Sequence, residues 1–196
     1  MTIEAPRLPP APAALTADDL LAEPEEGVWT DAVLRGVRIP GAVLEDARFV
    51  DCRFEGCDLA GVEFVRLELR RVEVVDCRLS GVDLGAARLH DVRFAGSKLD
   101  DVNLRGVQGE RVAFEDCVLR GADFQKASLP EALFTECTMD GADLRRASLV
   151  GATFLGTDLT GIIGVDGLKG AVLDRNQALS LSLHFAAALK ITVLED

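Results

Sequence analysis

The chain has 196 residues, 33 Asp and Glu against 21 Lys and Arg for a formal charge of −12, 48% hydrophobic residues and five cysteines. That length suits one domain with at most a small appendage, and the acid excess argues against any role that neutralises a phosphate backbone. The chain is too apolar for a disordered acidic tail and its apolar runs are too short for a membrane span, so a folded, soluble protein with no direct nucleic-acid or membrane binding is expected.

Residues 1–26 form an arm holding five of the seven prolines. It mixes proline and acid where a secretory signal would be greasy, and an odd cysteine count fits a reducing compartment, so a cytoplasmic location is expected. Most of the arm is expected to be extended or disordered. A short helical turn is expected in LTADDLLA, where Thr16 can cap, Asp18 and Asp19 favour the N-terminus, and Leu20 and Leu21 can cover the first coil of the repeat.

Residues 27–161 are a repeat. Stepping by five from Trp29 to Leu159 gives 27 positions without a register slip, of which fourteen are Leu and eight are Phe. Two places before each sits a smaller residue: ten Ala, eight Val and all five cysteines, at 52, 57, 77, 117 and 137. None of these 54 inner positions is charged, whereas the other 81 hold 40 charged residues. A period of five fits neither the 3.6 of a helix nor the 2.0 of a strand. A chain that turns a corner every five residues and points two of them inward winds as a square coil, four pentads to the turn. Glycine at 41, 61, 81, 121, 141 and 161, interrupted by Asp101, marks one corner that visits positive φ. The expected fold is an all-β solenoid of about 6.75 coils, roughly 32 Å long at ~4.8 Å per coil. Gly109 is the one position in the column of large residues with no side chain, and reads as a void or a local bulge.

Residues 162–196 are expected to comprise an imperfect last coil with Leu168 and Leu173 pointing inward, a helix over DRNQALSLSLHFAAALK, and a short strand in ITVL. Asp174 and Gln177 have the spacing of a capping box. Leu181, Phe185, Ala188 and Leu189 share one helical face, which we assign to dimerisation. A second stripe through Leu179 and Leu183 makes the apolar surface wider than a plug needs.

No catalytic constellation emerges. His90 and His184 lie on different elements, the glycines follow the pentad period and not a phosphate loop, and the cysteines sit where a small core residue is required. No catalytic residue, metal or cofactor is expected. The chemistry then lies on the surface. The repeat carries −6, the arm −5 and the C-terminal segment −1. The most acidic face of the square holds Glu55, Glu73, Asp76, Glu115, Asp116 and Glu136 against Arg35, Arg53 and Arg93, and we assign it to partner binding.

The pentads CDLAG, VDLGA, VNLRG, ADFQK, ADLRR and TDLTG resemble the pentapeptide-repeat family, over about two-thirds of the chain. The resemblance implies a right-handed quadrilateral β-helix. The unbroken register is similar to the loop-free mycobacterial fluoroquinolone-resistance type. It implies a non-catalytic homodimer joined through C-terminal modules, which mimics duplex DNA, binds DNA gyrase or topoisomerase IV and gives resistance to a topoisomerase-poisoning antibiotic. A protein-interaction scaffold with another partner is the alternative.

Overall fold

A computed structural model describes residues 1–22 and 27–194. Its strands are β1 (Ala13–Leu15), β2 (Val28–Thr30), β3 (Ala32–Arg35), β4 (Val43–Glu45), β5 (Arg48–Glu55), β6 (Glu63–Val65), β7 (Glu68–Val75), β8 (Arg88–Ala95), β9 (Gln108–Glu115), β10 (Leu133–Thr135) and β11 (Thr153–Leu155). Helix α1 (Ala17–Leu21) precedes the coils, and a 3-10 turn (Val165–Leu168), α2 (Arg175–Ser180) and α3 (Ser182–Ala188) come after them. Every paired strand is parallel, and within the repeat each residue faces the one twenty places on: Leu34 with Phe54, Phe54 with Val74, Phe94 with Phe114, Phe134 with Phe154. Bridges such as Asp58 with Arg78 and Asp83 with Asn103 carry the same step around the remaining faces. The result is a parallel β-solenoid of about seven turns.

The inner pairs fill the interior. Phe94, Phe114, Phe134 and Phe154 stack on one another at centroid distances of 5.0, 5.0 and 4.7 Å with rings within 8° of parallel, matching the ~4.8 Å spacing of adjacent parallel strands. Trp29 stacks on Phe49 at 4.7 Å. Gly109 leaves no void. A Cβ there would run into the side chains of Leu129 and Val112, so its neighbours already occupy the space, and the backbone stays in strand opposite Leu89.

Positive φ is found at all four corners of the square and not only at the glycine column. Asp51, Arg71, Asp91 and Arg111 take φ of 51–55° on one corner, Asp76, Asp116 and Glu136 of 50–53° on another, and Arg66, Ala86 and Lys126 of 57–61° on a third. A non-glycine residue there carries a steric cost, accepted on every rung because the chain must turn and keep its ladder bonds.

The cysteine column has a reason beyond size. Down the rungs it reads Cys57, Cys77, Ser97, Cys117, Cys137, Thr157, below Val37. The amide N–H of Cys57 donates to Cys77 Sγ at 3.3 Å, that of Cys77 to Ser97 Oγ at 3.0 Å, and that of Cys137 to Thr157 Oγ1 at 3.3 Å. At this corner buried amides find their acceptor in the side chain one rung on, and a buried amide left without one costs about 1–3 kcal/mol. A thiol or hydroxyl supplies the acceptor and still fits the core.

The ends depart from expectation in three places. Leu20 is buried under the first coil and Thr16 forms a reciprocal cap with Asp19, but Leu21 is half exposed. The C-terminal helix is two short ones that meet at Leu181. Residues 191–194 form no strand. The Asp174–Gln177 capping box is present in both directions, and buried Gln177 also donates to the carbonyl of Thr157 at 2.8 Å, which fastens α2 to the last coil.

Candidate interaction surfaces

The acidic face is assembled by the twenty-residue step, which places Glu55, Glu73 and Glu115 along one side and Asp76, Asp116 and Glu136 at the adjoining corner. The first three are paired. Glu55 lies 2.6 Å from Arg35 Nε and 2.8 Å from Arg53 Nε, Glu73 lies 3.5 Å from Arg53, and Glu115 receives both Nε and Nη2 of Arg93 at 3.0 and 2.6 Å. The Arg35 guanidinium holds the Glu55 carboxyl below its usual range. These pairs, all but Arg53–Glu55 running between rungs, neutralise the flat part of the face. Asp76, Asp116 and Glu136 are exposed and make no ion pair among the described residues. The side chains of Asp76 and Glu136 lie along the corner over Gly96 and Gly156 of the next rung, where a Cβ would collide with their carboxylates. The six-residue surface therefore reduces, as free charge, to one line of three.

The four residues assigned to dimerisation are split. Leu181 is buried at 2% exposure and Phe185 packs half-buried against the core, so both serve the cap. Leu181 cannot meet a partner without unseating the helices; the helix break at this residue turns it toward the rod. Ala188 and Leu189 are exposed. The outward apolar surface is instead Leu179, Leu183, Leu189, Ile191 and Leu194, each more than half exposed. The stripe that is surplus to a plug in the sequence is the one that faces solvent.

Two further features are not apparent from the pentad pattern. The first is an open trough of about 570 Å³ over Gly109, lined among others by Arg70, Arg88, His90, Gln108 and Glu110. His90 Nδ1 lies 2.8 Å from Glu110 there, and Ser128 also lines the trough. The second is a corner ladder of alternating charge, Asp51, Arg71, Asp91 and Arg111, in which each arginine chelates the aspartate one rung before it: Arg71 Nε to Asp51 Oδ1 at 2.7 Å, and Arg111 Nε to Asp91 Oδ1 at 2.7 Å. Alternation at a spacing of twenty is the signal that could have found it. All five thiols are buried; burial pushes the Cys52 thiol up to about 11, whereas the hydrogen bond with Cys77 pulls the Cys57 thiol down to about 7.

A family model described as a pentapeptide repeat region matches residues 47–115, and one described as pentapeptide repeats (8 copies) matches residues 127–163, between them more than half of the chain. No curated protein sequence matches significantly. Among solved structures, a trypsin-treated point variant of QnrB1, a plasmid-mediated fluoroquinolone resistance protein, is 20% identical with a TM-score of 0.38 over 93% of this chain and 98% of its own. HetL, a pentapeptide repeat protein involved in heterocyst differentiation regulation in the cyanobacterium Nostoc sp. strain PCC 7120, is 19% identical with a TM-score of 0.25 over 74% and 88%. A pentapeptide repeat protein of the Arabidopsis thaliana thylakoid lumen is 24% identical with a TM-score of 0.30 over 53% and 70%.

Proposed function

The chain belongs to the pentapeptide-repeat family, and from that premise we propose that it is a non-catalytic rod that binds a type II topoisomerase, DNA gyrase or topoisomerase IV, in place of duplex DNA and protects it from a topoisomerase-poisoning antibiotic. The observation that carries this reading is the line of exposed, unpaired carboxylates Asp76, Asp116 and Glu136 on a rigid corner. Fixed charges on a stiff scaffold steer a basic partner surface and set its register without an ordering cost in the rod. The line spans three rungs, roughly 14 Å; B-DNA presents about eight phosphates over that length, one per ~1.7 Å. The rod therefore suits a short basic patch, and Glu55, Glu73 and Glu115 add charge only where a partner draws their arginines away.

Purified protein is expected to alter gyrase supercoiling or to reduce quinolone-trapped cleavage, and Asp116→Lys with Glu136→Lys to abolish the effect. No effect on either assay with gyrase of the source organism rejects the reading. A scaffold for another protein is the second reading, favoured by the arginine pairing that neutralises the flat face. It predicts a different captured partner and gyrase behaviour indifferent to the charge reversal.

A homodimer through the C-terminal module belongs to the same proposal, and the exposed patch of Leu179, Leu183, Leu189, Ile191 and Leu194 is where it would form. The wild-type chain is expected to scatter light as twice its 21.0 kDa, and Leu183→Asp to return it to monomer. A monomeric wild type, or a Leu183→Asp variant that stays dimeric, removes this interface from the proposal.

A further inference from the structure

The N-terminal arm does not hang free. Its β1 segment adds a parallel strand to the open edge of the first coil, Leu15 facing Leu34. Before that strand, residues 1–12 run back along the outside of the solenoid, with Ile3, Pro6 and Leu8 half-buried against it. Two contacts fix their path. The amide N–H of Arg7 donates to Asp51 Oδ1 at 2.9 Å, and that of Glu4 donates to Asp91 Oδ1 at 3.0 Å.

The spacing is not accidental. Asp51 and Asp91 are two rungs apart, about 9.6 Å at ~4.8 Å per rung, and three extended residues reach at most about 10 Å. Glu4 and Arg7 are three residues apart, so an extended chain places their two amides on alternate steps of the charge ladder. The prolines at 6, 9, 10 and 12 offer no amide and hold the chain extended, and the amides of Glu4 and Arg7 are the ones that meet the ladder aspartates. Charge is in register too: Arg7 lies beside Asp51, and Glu4 acts on both Arg71 and Arg111, which flank Asp91. Glu4 and Arg7 also pair with each other at 2.7 Å on the outer side. Asp91, 2% exposed, thus has its carboxylate filled by Arg111, the Glu4 amide and His90 at 3.3 Å.

We propose that the Asp51–Arg71–Asp91–Arg111 corner is a binding site for an extended, proline-containing peptide, recognised by backbone amides three residues apart and filled in cis by residues 1–12. The two aspartates read the peptide's main chain, and the arginines hold the aspartates in place and favour an acidic residue between them. The site is independent of the acidic corner at Asp76, Asp116 and Glu136, which lies at a different edge of the square.

Proline at positions 4 and 7 deletes both donors and keeps an extended chain. In the full-length wild type the amides of Glu4 and Arg7 are expected to be protected from hydrogen exchange, as measured by NMR. In Glu4→Pro/Arg7→Pro the resonances of Ile3 and Leu8 are expected to move to values of a free chain. Glu4→Ala/Arg7→Ala, which removes the side-chain charges and spares the amides, is expected to keep the arm docked. A fluorescent synthetic peptide of residues 1–12 is expected to bind the proline variant and not the wild type, and Asp51→Asn in the proline background to weaken it by roughly tenfold, the scale of one charge-assisted hydrogen bond. Unprotected amides in the wild type, release of the arm by the alanine pair, or a peptide that ignores either the proline variant or Asp51→Asn each overturns the site. The proline variants alter only the arm, so the exchange and release readings stand even where Asp51→Asn fails to fold.

Discussion

Phe114→Ala is expected to destabilise the protein by about 4 kcal/mol, within the roughly 3–5 kcal/mol typical of deleting a buried phenylalanine. Phe114 is fully buried, lies between Phe94 and Phe134 at 5.0 Å on each side, and meets the edge of Phe124 at 6.2 Å. Its removal costs the transfer free energy of the ring, a cavity that rungs held by ladder hydrogen bonds cannot collapse, and two aromatic stacks worth about 0.5–1.5 kcal/mol each. The position also matters for cooperativity. In a solenoid each coil touches only its neighbours, so a gap in the middle of the ladder weakens the coupling between its two halves. Urea unfolding followed by circular dichroism is expected to show a lower midpoint and a broader or two-step transition. Phe114→Leu, which keeps most of the volume, is expected to cost less than half as much with one transition retained. A loss below about 1 kcal/mol for the alanine variant contradicts a rigid stacked core.

The square cross-section is legible because it imposes a period on side-chain size: Leu and Phe recur every fifth place, and no charge enters the inner pair. The cap at Asp174 is legible because a capping box is written in two residues three places apart. Other features depend on backbone groups that a sequence does not display. Cys77, Ser97 and Thr157 read as small residues, and only the path of the chain shows that their side chains accept buried amides. Leu181 and Leu183 fall on different stripes of the helix, but the pattern does not say which stripe meets the rod; the structure buries Leu181 and leaves Leu183 in solvent. The acidic face looks freer than it is when its arginines are counted as separate charges on a surface. Arg35 and Glu55 are twenty places apart, which is one rung, and that relation is available from the repeat itself. The arm looks loose because prolines exclude regular secondary structure, yet the same prolines suit a strap that needs few amides.

Asp91→Asn is expected to lower stability at neutral pH by roughly 2 kcal/mol, the scale of a pKa shift of one to two units, and the difference from wild type to vanish in acid. The Arg111 guanidinium is the largest influence on the Asp91 carboxyl, with the Glu4 amide behind it, and together they overcome burial to hold its pKa down to about 2 in the folded protein, against about 3.9 in an unfolded chain. A folded-state pKa below the unfolded one stabilises the native state wherever the unfolded carboxyl is ionised. The contribution is present in full above about pH 4 and lost as pH falls from about 4 toward 2. Asp51 shifts in the same direction through Arg71, with the Arg7 amide adding to it, so the same window weakens both arm contacts. Thermal or urea unfolding from about pH 7 to about pH 2 is therefore expected to give a wild-type stability that drops steeply below about pH 4, a flatter curve for Asp91→Asn, and convergence of the two near pH 2. A difference that stays constant through this range would mean that Asp91 contributes shape and not charge, and that the ladder does not depend on its ionisation.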